Sequence, residues 1–192
     1  MESIEGQVRL LFENLKVGDF QITSDRDLSY NCIAWAMGKA DSFWWPDSDG
    51  AWPPGAERSV KVESFEAAFA TEGFTRCDNG APKIGMEKVA LYTLNGKPTH
   101  AAFLLPTGLW ASKLGRDHDV HHHTLECIGG TSERAYGAAT HFFERPMPAT
   151  SRPQMPNAQY EAAKRYDLTN EAMGLTARVP TKGAKAKPKK KR

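Results

Sequence analysis

Cysteine is scarce in this sequence: there are three in 192 residues, at positions 32, 77 and 127. An odd number at wide spacing argues against a disulfide framework and predicts free thiols in a reducing compartment. Also missing is any run approaching the ~20 apolar residues needed to cross a bilayer. The opening residues Met1 to Gly6 have neither the basic start nor the apolar stretch of a signal peptide. The chain therefore reads as soluble and cytoplasmic, with no membrane partner. Acids are absent from residues 175–192, which hold eight Lys or Arg, and those charges turn the overall +2 into −6 for residues 1–174. A basic tail on an acidic domain lacks the fold-positioned charge that specific nucleic-acid recognition needs. It predicts at most weak contact with anionic polymers.

The length suits one domain with a tail. Prolines at 146, 148, 153 and 156 mark a boundary. The expected organisation is a globular domain over 1–146, a Pro-rich linker over 147–174 with a helix at 157–173, and a disordered basic tail over 175–192. Within the domain, Ile4, Val8, Leu11, Phe12 and Leu15 recur at helical spacing. Asn31 stands as an N-cap before Cys32 to Met37, and a third helix is expected across Val60 to Glu72, ended by Gly73. Strands follow at Phe74 to Cys77, at Lys88 to Leu94, from His100 to Leu105, at Leu109 to Leu114, and at Ala138 to Arg145. Asn95-Gly96 closes the central hairpin. Helices first and antiparallel strands after predict an α+β fold, with N-terminal helices packed on a small antiparallel sheet.

Two residues in this frame carry chemistry. Cys32 falls in the first turn of its helix, and His100 opens a strand after the hairpin. A thiol attacks as thiolate, which a helix N-terminus and an imidazole partner both favour, so the pair predicts nucleophile and base. The competing reading is that Cys32 is a buried small hydrophobe. Cys77 and Cys127 read as packing residues.

The helix bearing Cys, followed by antiparallel strands with His at the start of one, resembles the papain-like superfamily, especially its compact bacterial endopeptidases and amidases. That resemblance implies a papain-like fold, a Cys at the start of a buried helix, a His on the facing sheet, and a third polar group orienting the imidazole. A strand neighbour of His100 brings Ser112 or Lys113 into range, while Asp119 and His122 suit the role better chemically. The order of preference is Asp119, His122, Ser112. The motifs Asn31-Cys32-Ile33-Ala34-Trp35-Ala36, Trp44-Trp45-Pro46, Trp52-Pro53, Pro98-Thr99-His100-Ala101-Ala102 and Trp110-Ala111-Ser112-Lys113-Leu114-Gly115 together also resemble a small bacterial family of unknown activity, over roughly residues 5 to 146.

The resemblance implies a cysteine-dependent hydrolase or acyltransferase acting on an amide in a peptide or protein, without cofactor or metal. Asn31, Trp35, Trp44, Trp45, Trp52 and Trp110 are the candidate substrate-binding residues. Two other classes compete. The same scaffold without turnover would be a binding module with an aromatic cleft, although tryptophans in a long loop more often cover a core. The segment His118-Asp119-Val120-His121-His122-His123 suggests instead a metal-dependent hydrolase, although consecutive histidines on a strand cannot all face one ion.

Overall fold

The computed structural model describes residues 3–47, 49–132 and 134–148. Its elements run α1 (Ile4–Arg9), β1 (Phe20–Ile22), α2 (Cys32–Ala36), α3 (Val62–Ala70), β2 (Thr75–Cys77), β3 (Met86–Leu94), β4 (Lys97–Leu104), β5 (Trp110–Lys113), β6 (Asp119–His122), a 3-10 turn at Leu125–Ile128, and β7 (Ala138–Pro146). One seven-stranded sheet, ordered β1-β6-β5-β4-β3-β7-β2, contains all these strands, and every ladder is antiparallel. The architecture is thus α+β and rich in strand. Apart from Met147 and Pro148, the expected linker with its helix and the tail lie outside the described residues.

The two-residue period of a strand sorts side chains onto two faces, and each face has its own core. On the α2 side, Val89, Leu91, Ala101 and Phe143 pack with Ile33, Phe65 and Phe69. On the far side, Ala90, Tyr92, Ala102 and Trp110 pack with Val8, Phe12 and Ile128. A sheet buried on both sides needs apolar residues at successive positions, which explains the continuous run Val89 to Tyr92 in place of an alternating pattern.

The β3–β4 hairpin turns at Asn95 (φ 52°) and Gly96 (φ 76°), the two consecutive positive values a tight hairpin requires. β4 starts at Lys97, three residues earlier than expected. Its register shifts so that Tyr92 pairs His100 and Thr93 pairs Pro98, leaving Thr99 as the extra residue of a bulge. α1 is shorter than its apolar pattern suggests. After Arg9 the amides of Leu11 and Phe12 bond three residues back, to Val8 and Arg9. Val8, Phe12 and Leu15 are still buried, while Ile4 and Leu10 are 51% and 75% exposed. Strands β1 and β6 had no expected counterpart. They pair as Phe20 with His122 and Ile22 with Val120, giving the polar segment 119–122 a place in the sheet.

Candidate active site

The site starts at the lead-in to α2. Asn31 is extended, and its Oδ1 accepts from the amides of Ala34 (3.2 Å) and Trp44 (3.1 Å). Its Nδ2 donates to the Trp44 carbonyl at 2.7 Å. One buried side chain therefore caps the helix and clamps the tryptophan loop beside it. Asn31→Ala removes the cap and strands two groups of Trp44, so it is expected to lower stability by about 1–3 kcal/mol in urea unfolding.

Cys32 is the first residue of α2 and is buried. With only five residues, α2 has little macrodipole to offer a thiolate. Desolvation dominates and pushes the thiol up to about 11, against the opposing pull of the Ala101, Ile33 and Cys32 backbone N–H groups. Cys32 rests as a neutral thiol, in contrast to the activated state expected from its place at a helix start. Ala101 is the residue after His100, so the sulfur sits beside the β4 backbone where the histidine begins.

His100 is fully buried on the far face of the sheet. The phenol of Tyr136 stacks on its ring, with centroids 4.0 Å apart and planes 12° apart, and Tyr92 meets it edge-on at 5.3 Å. Its Nε2 lies 3.0 Å from Ser112 Oγ, which lies 2.9 Å from His122 Nε2, and His122 Nδ1 is 2.7 Å from the Thr124 carbonyl. That carbonyl fixes the whole chain of hydrogen bonds. It can only accept, so His122 carries its proton on Nδ1 and presents a bare Nε2. Ser112 then donates to His122 and accepts from His100 Nε2–H. The remaining nitrogen, His100 Nδ1, is a bare lone pair, buried and without a hydrogen-bond partner. Burial holds His100 well below the ordinary histidine range and lowers His122 to about 4, so both rings are neutral.

β4 and β5 pair only at Phe103 with Ala111 and Leu104 with Trp110, and no ladder joins them beyond Ala111. A cleft of about 410 Å³ opens nearby, lined by Asn31, Cys32 and Thr99, by Phe43, Trp45, Asp47, Asp49 and Gly50 of the tryptophan loop, and by Gly115, Arg116 and Tyr136. Tyr136 thus touches both halves: it stacks on His100 and shares the cleft wall with Cys32. Its carbonyl accepts from Thr99 Oγ at 2.6 Å. At Gly137 (φ +79°) a Cβ would stand 2.0 Å from the Thr93 carbonyl oxygen, so only glycine lets the Tyr136 loop lie this close.

The expected residues separate into several groups. Ser112 and His122 join His100. Asp119, the preferred third residue, does not: its Oδ2 accepts from Tyr30 at 2.6 Å and its Oδ1 is 3.8 Å from the Lys113 ammonium. The reason is parity, because Asp119 and His122 are three positions apart on β6 and point to opposite faces. Among the six substrate-binding candidates, Asn31 and Trp45 line the cleft. Trp45 and Trp52 rest edge-on against Phe65, Trp44 is buried in the α2-side core, and Trp35 packs on Tyr30. Trp110 belongs to the other face and lines a separate cavity with Phe142. The histidine segment is likewise divided. His118 Nδ1 is 3.0 Å from the Ser24 carbonyl, and among the described residues no three His, Cys, Asp or Glu side chains gather to hold a metal ion. Phe43, Arg116 and Tyr136 were not anticipated. Tyr136 lies in a Gly-rich stretch whose composition signals only a loop.

A seven-stranded antiparallel sheet with a buried cysteine, a histidine–serine–histidine chain and a cleft beside the start of α2 defines an α+β domain with a candidate thiol site. Residues 21–144 match the family described as Domain of unknown function (DUF7689), and the chain belongs to that family. No curated protein and no solved structure matches the chain.

Proposed function

We propose that this domain is a papain-like cysteine hydrolase or acyltransferase acting on an amide, with Cys32 as nucleophile and His100 as base. The observation that carries the reading is the bare, buried Nδ1 of His100. Its Nε2 is occupied by Ser112, so the tautomer leaves one basic lone pair free, one residue from the backbone N–H that contacts the Cys32 sulfur. Sγ attacks the substrate carbonyl while its proton passes to Nδ1, and the same proton later returns to the leaving nitrogen. Proton transfer in concert with attack suits a thiol that rests neutral. Peptide or protein amides fit an open cleft walled by Phe43 and Trp45.

A second reading, a binding module without turnover, is favoured by the raised thiol. Iodoacetamide labelling of each cysteine, followed by peptide mass spectrometry, separates the two. If the pair is real, Cys32 is labelled faster than buried Cys127, and His100→Ala slows Cys32 by about tenfold or more. If Cys32 is as inert as Cys127, or reacts equally in both proteins, the hydrolase reading falls and the aromatic cleft is a binding site.

A further inference from the structure

The hydrogen-bonded chain behind His100 is longer than orienting an imidazole requires. An acceptor at hydrogen-bond distance from Nε2 fixes a ring, and the Ser112 hydroxyl already supplies one. Ser112 and His122 are nonetheless both fully buried, and the series ends on the Thr124 carbonyl, outside the core of the site. We propose that Ser112 and His122 form a proton relay with His100, so that when Cys32 is deprotonated the positive charge comes to rest on His122. This inference rests on the Cys32–His100 reading.

The step balances without any co-reactant. The Sγ proton moves to His100 Nδ1, the His100 Nε2 proton moves to Ser112 Oγ, and the Ser112 hydroxyl proton moves to His122 Nε2. Three bonds to hydrogen break and three form, no electrons change hands, and the product is a thiolate with an imidazolium at His122. Both imidazolium N–H groups then have acceptors, Ser112 Oγ and the Thr124 carbonyl.

Location decides which ring holds the charge. His100 is enclosed by Tyr92 and Tyr136, both neutral phenols, and His122 is the neighbouring charge that disfavours its cation. Among the described residues no carboxylate hydrogen-bonds to it. His122 lies opposite Phe20 of β1 and Trp110 of β5, both apolar. It has a carbonyl on Nδ1, which is the strongest influence favouring its cation; His121 opposes that cation more than Glu126 in the adjoining 3-10 turn favours it, and His123 opposes it least. Moving the charge across Ser112 takes it from a ring with no anionic support to one with two favourable partners. Ser112 and His122 are positioning residues here, since neither lines the cleft.

Two measurements on the full chain test the relay. Spectra of 15N-histidine-labelled protein at neutral pH are expected to show His100 protonated on Nε2 and His122 on Nδ1; the opposite tautomer at either ring overturns the relay whatever Cys32 does. In the second, Cys32 alkylation is followed against pH. Ser112→Ala and His122→Gln are each expected to slow it about tenfold, whereas Ser112→Thr, which keeps the hydroxyl, stays within about threefold of the parent. If His100→Ala slows alkylation but Ser112→Ala and His122→Gln do not, the pair stands and the relay falls. If His100→Ala has no effect, the pair itself is wrong. Should Ser112→Ala fail to fold, the tautomer spectra and Ser112→Thr still decide.

Discussion

Acidification from about pH 7 to about pH 5 is expected to destabilise the protein, with His122 contributing about 2 kcal/mol and His100 acting in the same direction. Both rings are held neutral by burial, His100 well below the ordinary value and His122 at about 4. In the unfolded chain each takes up a proton near the ordinary histidine value of 6.5. Between that value and the folded one, the unfolded state binds more protons, so stability rises with pH. It is fully present above the unfolded value and is lost as pH falls, at about 1.4 kcal/mol per pH unit per histidine. The lowered carboxyl of Glu144, beside Lys83 and Lys88, also loses its contribution on acidification, but only below the ordinary glutamate value of 4.5. Urea unfolding across this range checks the slope, to which the burial-lowered His121 and His141 also contribute with the same sign, and His122→Gln should reduce it. A flat stability between neutral pH and about pH 5 would mean that the rings are solvated.

Removing the Asp119 carboxylate should have a comparable effect, for a different reason. Lys113 is 0% exposed, and its ammonium donates to the Asp117 carbonyl, lies 4.5 Å over the Tyr30 ring, and has Asp119 as its carboxylate at 3.8 Å. Asp119→Ala leaves that cation buried without its anion and takes the acceptor from Tyr30. The expected loss is roughly 3–5 kcal/mol in thermal or urea unfolding. Substituting both partners, Lys113→Met with Asp119→Leu, should recover most of it, because two apolar side chains carry no desolvation penalty. If the double variant is no better than the single one, Asp119 matters through Tyr30 instead of through Lys113. Either way the carboxylate acts on the approach to α2, since Tyr30 precedes Asn31 and Cys32.

Local signals that involve neighbours in sequence were legible beforehand. Asn31 before an apolar run marked the start of α2, Asn95-Gly96 marked the hairpin, and the spacing of Phe65, Ala68 and Phe69 marked α3. β6 was not legible, because its buried positions are Asp119, Val120 and His122, and polar residues that are buried through partners elsewhere give no hydrophobic period. The third residue of the site was hidden for the same reason. Choosing among Asp119, His122 and Ser112 requires knowing which face of the sheet each occupies, and that parity follows from a strand the sequence did not announce. The tryptophans were ambiguous by chemistry: Trp45 both covers Phe65 and lines the cleft, so neither reading excludes the other.

The loop opposite Cys32 is tied down at several of its described residues. The Trp45 amide donates to the Ala51 carbonyl and the Ala51 amide to that of Phe43, and Arg58 Nη2 reaches the Gly50 carbonyl at 3.0 Å while Nη1 donates to that of Asp47. A Cβ at Gly50 would come within 2.4 Å of the Trp45 carbonyl oxygen. A wall fastened in this way works as a fixed gauge. Under the proposed function, discrimination between ligands would come from steric exclusion, with bulky groups refused at encounter, and little ordering entropy would be lost when a fitting group enters.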